Sequence, residues 1–301
     1  MELVEKILKL KKERNAVILV HNYQIPEVQD IADFVGDSLG LSMEASRTNA
    51  DVIIFCGVRF MAETASIICQ NKKVILPDID AGCPMADMIT ADELRKLKKE
   101  NPKAIVVAYV NTSAEVKAES DICCTSANAE KVLKKVAADF EEIIFIPDKY
   151  LGIYASKGMQ KKFIFWQGYC PTHVVILEED IKAAKKEHPK ALVLVHPECR
   201  PEVSNIADLA ASTEGMVKFA RNSEAKEFII GTEIGIIHRL RKENPDKEFY
   251  PATDKAICPN MKKINLEKVL WSLEDMKPEV KVPENIRVRA VKPVEKMIEL
   301  K

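Results

Sequence analysis

None of the eight cysteines in this 301-residue chain is followed by another at C-x-x-C spacing. That removes the ligand pairs on which zinc ribbons and thioredoxin-like redox sites are built. The compact cysteine clusters of ferredoxins and the C-x3-C-x2-C run of radical enzymes are also missing. Neither G-x-G-x-x-G nor a Walker A loop occurs, so NAD and ATP are not expected as cofactors. With a formal net charge of −1, the chain has no electrostatic case for nucleic acid or an anionic membrane. No apolar run approaches the roughly 18 residues of a membrane span, and the charged start at Glu2 is unlike a signal peptide. A cytoplasmic protein with no membrane or nucleic-acid partner is expected. Glutamine is scarce beside abundant lysine and glutamate, a bias of heat-adapted proteins.

What the chain does have is a repeat. Three Cys-Pro dipeptides, Cys83-Pro84, Cys170-Pro171 and Cys258-Pro259, lie 87 and 88 residues apart. Each follows a short β-like segment, at 73–76, 162–165 and 248–250. Other landmarks keep the interval. Opening strands end at His21, Asn111 and His196, and aspartates follow at Asp33, Asp121 and Asp208. Five residues beyond each aspartate stands a hydroxyl: Ser38, Ser126 and Thr213. Third strands then match at 52–55, 143–146 and 228–230.

Apolar strands alternating with amphipathic helices imply parallel sheets covered on both faces. The length alone suggests about two domains, but the repeat predicts three. The expected fold is α/β: three homologous αβα sandwich domains with parallel sheets, arranged around a pseudo-threefold axis. Boundaries are placed at 1–100, 101–188 and 189–277, with a segment 278–301 that could pack on the first repeat. Ligands of such sheets bind at the carboxyl ends of the strands, so the three landmark edges should share one central cavity. Locally, helices are expected over 2–14 and 179–186, with Thr90 and Glu93 forming a capping box.

Equivalent placement in three copies marks Cys83, Cys170 and Cys258 as metal or cluster ligands. Cys56, Cys69 and Cys123 read as packing, while Cys124 and Cys199 have no counterparts in both other copies. Three thiolates could hold zinc, which would take a further ligand. They fit better a [4Fe–4S] cluster with one iron left open as a Lewis acid, a dehydratase-type site. His21, His173 and His196 follow strand or Cys-Pro landmarks and suit acid–base work near neutral pH. Tyr23, Tyr109 and Glu198 stand within two residues of the opening-strand ends and could move protons on a bound substrate. Ser38, Ser126, Ser212 and Thr213 read as helix N-caps, at termini that also favour anions. His188 is expected to be solvated and His238 structural. Three rivals stay open at this point: a zinc hydrolase, an iron–sulfur redox or sensor protein, and a non-catalytic receptor for small anions.

Taken together, ten segments resemble the quinolinate synthase (A protein) family over essentially the full length. They begin at His21-Asn22-Tyr23-Gln24, Gly36-Asp37-Ser38-Leu39, Phe60-Met61-Ala62-Glu63, Cys83-Pro84-Met85-Ala86 and Tyr109-Val110-Asn111-Thr112-Ser113. They continue at Cys124-Thr125-Ser126-Ala127-Asn128, Cys170-Pro171-Thr172-His173, His196-Pro197-Glu198-Cys199, Gly231-Thr232-Glu233-Ile234-Gly235 and Asn260-Met261-Lys262-Lys263. The resemblance implies an enzyme of de novo NAD biosynthesis that condenses iminoaspartate with dihydroxyacetone phosphate to quinolinate, losing phosphate and two waters. It implies a [4Fe–4S] cluster on Cys83, Cys170 and Cys258, with Tyr23 and Glu198 in proton transfers and His196 and Tyr109 in dehydration and ring closure. His21, Ser38, Asn111, Ser126, Ser212 and Thr213 would hold carboxylate or phosphate, and His173 would line the cavity. A functional partner would be an aspartate oxidase or dehydrogenase that makes iminoaspartate. Some relatives carry C-x-x-C at the third ligand; Lys255 stands there in this chain, so no thiol switch is expected.

Overall fold

Asp33, Asp121 and Asp208 each turn a carboxylate oxygen onto a backbone N–H fifteen residues earlier: Ile18 at 2.8 Å, Val106 at 2.8 Å and Val193 at 2.7 Å. Each aspartate also donates its own N–H to the carbonyl of that same residue, at 3.0, 3.2 and 2.9 Å. The repeated aspartate is therefore a structural latch. It closes the helical connection back onto the opening strand before the next strand begins.

The computed structural model describes residues 2–300; Met1 and Lys301, the outermost residues of the expected first repeat and C-terminal segment, lie outside it. Twelve strands form three four-stranded sheets. The first contains β1 (Ala16–His21), β2 (Phe34–Gly36), β3 (Val52–Cys56) and β4 (Lys73–Ile75). The second contains β5 (Ile105–Tyr109), β6 (Ile122–Cys124), β7 (Glu142–Ile146) and β8 (Lys162–Phe165). The third contains β9 (Leu192–Val195), β10 (Leu209–Ala210), β11 (Glu227–Gly231) and β12 (Glu248–Pro251). In every sheet the opening strand lies second, between the short edge strand and the third strand, and all pairings within the sheets are parallel. Central strands such as β3 are buried along their whole length, as expected where helices cover both faces. The α/β fold of three αβα sandwiches is as the repeat predicted.

Local expectations follow the same course. The first helix is Glu2–Glu13, with Ile7 buried against helix Leu266–Asp275. Thr90 and Glu93 make the capping box: the Glu93 N–H donates to Thr90 Oγ1 (3.2 Å) and the Thr90 N–H to Glu93 Oε2 (2.8 Å). His188 differs from expectation. It is half-buried and stacks on Tyr250 at 3.5 Å between ring centroids, because β12 brings that aromatic face alongside the turn before β9. His238 is tied to Asp30 at 3.0 Å. No helix among the described residues is long and apolar enough to cross a membrane.

The C-terminal segment joins two repeats. Residues near Pro278 run antiparallel along β4, with Val280 N–H donating to Val74 O at 2.8 Å. Helix Glu284–Glu299 then crosses helix Arg59–Ile68 of the first repeat and packs on helix Ala114–Ala118 and β6 of the second. Ala290, Val294 and Met297 are its buried side, and Asn128 Nδ2 donates to Met297 O at 2.9 Å. Arg289 and Arg95 (2.7 Å) share Glu119 as a partner.

Met297→Ala should lower the unfolding free energy by about 2–5 kcal/mol, measured by denaturant melts; an unchanged midpoint would mean this helix is not docked. Burial opposes ionisation of Glu119, but its two arginine partners outweigh burial and hold the carboxyl below its usual range. Its stabilisation is therefore full above the unfolded value of about 4.3 and fades as pH falls through the folded one. The stability gap between wild type and Glu119→Gln should shrink in acid melts.

Candidate active site

Because every strand is parallel within its sheet, the last residues of β1, β5 and β9 point the same way as the turns that carry the cysteines. The three edges meet at one cavity. It is lined by Cys83, Cys170 and Cys258 and by His21, Tyr23, Ser38, Tyr109, Asn111, Ser126, His173, His196, Glu198 and Thr213. Of the residues expected there, only Ser212 does not line it; it stands behind Thr213 as a helix cap.

The capping assignments need correction. Only Ser212 caps a helix, accepting the Gly215 N–H at 3.2 Å. Ser38 and Thr213 are the first helical residues, and Asp37 caps the helix of Ser38 through the Gly40 N–H at 2.8 Å. Ser126 precedes Asn128, the cap residue of helix Ala129–Asp139, whose Oδ1 accepts the Thr125 N–H at 2.8 Å. Asp37 does the capping beside Ser38, whose hydroxyl lines the cavity, and the Ser126 hydroxyl faces His196 there. Thr213 Oγ1 accepts from Asn22 Nδ2 (2.8 Å), and Arg239, paired with Glu214, holds the other side of Asn22 at 2.9 Å.

The histidines are fixed by their neighbours. Two residues after His21 and two after His196, a backbone N–H donates to the ring Nδ1: Tyr23 at 3.2 Å and Glu198 at 3.3 Å. Both rings therefore carry their proton on Nε2, and His196 Nε2 donates to Ser126 Oγ at 3.1 Å. Burial drives both imidazoles down to about 3, so each is a neutral N–H donor near pH 7. His173 differs. Its Nδ1 lies 2.7 Å from Glu198 Oε2 and 3.1 Å from Cys170 Sγ, and its Nε2 lies 2.8 Å from Thr232 Oγ1. Thr232 Oγ1 is in turn 2.6 Å from the Tyr23 hydroxyl. A continuous hydrogen-bonded line thus runs Tyr23–Thr232–His173–Glu198, with groups from all three repeats.

Burial alone would raise Glu198. The adjacent His173 and His196 and hydrogen bonds from His173 and Tyr109 outweigh it and hold the carboxyl below the usual range. Its Oε1 has no partner at hydrogen-bond geometry, and Asn111 Oδ1 is likewise unpartnered at the cavity wall. Tyr23 and Tyr109 are pushed well above the usual phenol value by burial, so both are neutral.

All eight cysteines are free thiols. Cys56, Cys69, Cys123, Cys124 and Cys199 are buried, and Cys199 Sγ points at Gly231 O (3.4 Å) rather than into the cavity. Burial pushes Cys83 up to about 12 and raises Cys170 and Cys258 as well. Against that, the backbone N–H three residues on faces each sulfur: Ala86 at Cys83, His173 at Cys170 and Met261 at Cys258. Cys170, His173 and Glu198 also offer ligand atoms all within 4.8 Å of one another.

The sequence reading missed Thr232. Its signal was available: it is the first residue after β11, at the carboxyl edge of a third strand. Thr232→Val keeps the shape but strands the Tyr23 hydroxyl and His173 Nε2. It should cost about 1–3 kcal/mol of stability, read by chemical denaturation; no change would mean that water replaces the hydroxyl freely.

The model for the quinolinate synthetase A protein family matches residues 5–299. Quinolinate synthase of Methanosarcina barkeri (strain Fusaro) is 56% identical over 300 residues, covering 100% of this chain and 98% of that protein. Quinolinate synthase of Thermodesulfovibrio yellowstonii is 57% identical over 298 residues, covering 99% and 98%. That of Dehalococcoides mccartyi (strain CBDB1) is 56% identical over 293 residues, covering 97% and 96%. With a match running nearly end to end, and with the three cysteine turns gathered at one cavity, the chain belongs to the quinolinate synthetase A protein family.

Proposed function

We propose that this chain condenses iminoaspartate with dihydroxyacetone phosphate to quinolinate, releasing phosphate and two waters, as a cytoplasmic step of NAD biosynthesis. Cys83, Cys170 and Cys258 would hold a [4Fe–4S] cluster. The observation that carries the reading is the convergence of one half-buried thiol from each repeat on a single cavity. The donor set fits such a group: three free, half-buried sulfurs, one from each repeat, lining the same cavity. Bound there, the cluster would supply an open iron as a Lewis acid for removal of a hydroxyl.

The remaining chemistry falls to the side chains. The Nε2–H of His21, with the hydroxyls of Ser38, Thr213 and Ser126, would hold carboxylate and phosphate oxygens, while His196, whose Nε2–H orients Ser126, would support dehydration and ring closure with Tyr109. Ser212 acts at one remove, by capping the helix that carries Thr213. Asn111 Oδ1, which lacks a partner, would accept a hydrogen bond from a substrate hydroxyl. Ionised Glu198 would take a proton at Oε1, with the Tyr109 phenol beside it steadying the resulting carboxyl. Tyr23 would give a proton from its hydroxyl to a departing hydroxyl. The line through Thr232 and His173 lets that proton be replaced from the Glu198 end without bulk water. Three repeats closing on the cavity would keep water from a reactive imine. An aspartate oxidase or dehydrogenase would supply iminoaspartate.

A second reading rests on Cys170, His173 and Glu198 as ligands of a single zinc ion with an open position. Anaerobic purification followed by metal and sulfide analysis separates the two. About four irons per chain with matching sulfide, and quinolinate formed from the two substrates, is the expected result; zinc without sulfide would replace it. Cys83→Ser should lose both iron and quinolinate formation, and turnover without iron would refute the cluster. Glu198→Gln should keep the iron while kcat falls about 10²- to 10⁴-fold; an unchanged kcat would remove Glu198 from the chemistry.

A further inference from the structure

Two residues beyond the end of the third strand, the repeats carry Val58, Asp148 and Glu233. The two carboxylates are fully buried. Buried charges are costly unless they are used, and valine in the first repeat shows that an apolar side chain can fill this position. A specific task must therefore account for the acids.

Their contacts point to one. Glu233 Oε1 accepts the backbone N–H of Cys258 at 3.1 Å and the Lys262 ammonium at 2.8 Å. Its Oε2 accepts the Gly235 N–H at 2.7 Å, and Lys262 also donates to the carbonyl of Tyr23. Asp148 caps helix Lys149–Ala155 by accepting the Leu151 N–H at 2.7 Å on Oδ1. Its Oδ2 has no hydrogen-bond partner. The main chain is drawn in beside it: Asp148 bridges Gly168, and Lys149 N–H donates to Gly168 O at 3.0 Å.

Glycines make both approaches possible. A Cβ on Gly168 would stand 2.4 Å from Pro147 O, and one on Gly235 would stand 2.8 Å from both Glu233 Oε2 and Lys262 Nζ. The backbone link itself is common to all three repeats, with Arg59 N–H donating to Ala81 O at 2.8 Å and Ile234 N–H to Ala256 O at 3.0 Å; a carboxylate bonded to the cysteine's own N–H is found in the third.

We propose that Glu233 is a positioning residue that holds the main chain of Cys258 and so presets that thiol. Its hold on Cys258 rests on geometry alone; its purpose, seating a cluster, rests on the reading of the preceding section.

The test uses Glu233→Gln in the full chain, with Asp148→Asn as the control for folding: asparagine still caps the helix through Oδ1, and this equally buried acid makes no hydrogen bond to a cysteine. The first readout is alkylation of each cysteine by iodoacetamide in metal-free, reduced protein, followed by mass spectrometry. Glu233→Gln should speed Cys258 about tenfold, the scale of one lost charge-assisted hydrogen bond, with Cys83 and Cys170 unchanged, and Asp148→Asn should speed no one thiol selectively. Rates that do not move, or that rise equally at all three thiols together with a lower melting temperature, would overturn the proposal. The second readout is iron release to a chelator from anaerobically reconstituted protein, expected to be faster in Glu233→Gln. Unchanged release would overturn the role in seating the cluster. Selective alkylation in a protein whose wild type takes up no iron would leave the positioning intact and refute the cluster reading instead.

Discussion

Parallel strands cannot be joined by tight hairpins, so each must be reached by a crossover that returns the chain to the same starting edge. All carboxyl ends of a sheet then lie together. In this chain that constraint operates three times, and much of the site follows from it. His21, Tyr109 and the residue after Val195 sit at equivalent strand ends. The cysteine turns follow the outer strands β4, β8 and β12, and the cavity forms where the edges meet. A site assembled this way draws on residues far apart in sequence, with no compact motif to announce it.

For that reason the architecture was legible and the wiring was not. Strand-like runs such as Val52 to Phe55 and the spacing of the Cys-Pro turns identified three parallel-sheet units from residue type alone. The short edge strands β2, β6 and β10 gave little signal, since two or three residues show no periodicity; the landmark aspartates marked their approach without revealing the latch. The capping roles were misplaced by one or two positions because Asp37-Ser38 and Ser212-Thr213 each contain two capable side chains, and only the backbone decides which oxygen faces the helix. Thr232 escaped because its importance lies in joining Tyr23 to His173, a relation between three repeats. His188 escaped for the same kind of reason: Tyr250 reaches it from a strand more than sixty residues away.

The three repeats share a frame but not its contents. First and third repeats place a histidine at the opening-strand end, with its Nδ1 held by a backbone N–H two residues later. The second places Tyr109 there, with Asn111, whose acceptor is left open, two residues beyond the end of the strand rather than at it as expected. Second and third repeats place an acid beneath the ligand cysteine where the first has Val58. Such differences let a nearly symmetric scaffold surround an asymmetric set of reactants, with donors on two sides, an acceptor on the third, and the ionised Glu198 in only one copy.

The aspartate latch also bears on the order in which the molecule assembles. Each latch closes a loop of only fifteen residues, and the entropy lost in closing a loop rises with its length. The first strand–helix unit of each repeat can settle its register with local contacts. By contrast, the Tyr23–Thr232 bond joins residues 209 apart, and Tyr23 and His173 are 150 apart. The contacts that define the cavity are long-range and must form on units already shaped. Strand pairing in one repeat can therefore be weakened without rewriting the catalytic geometry, whereas that geometry can exist only after all three repeats have folded.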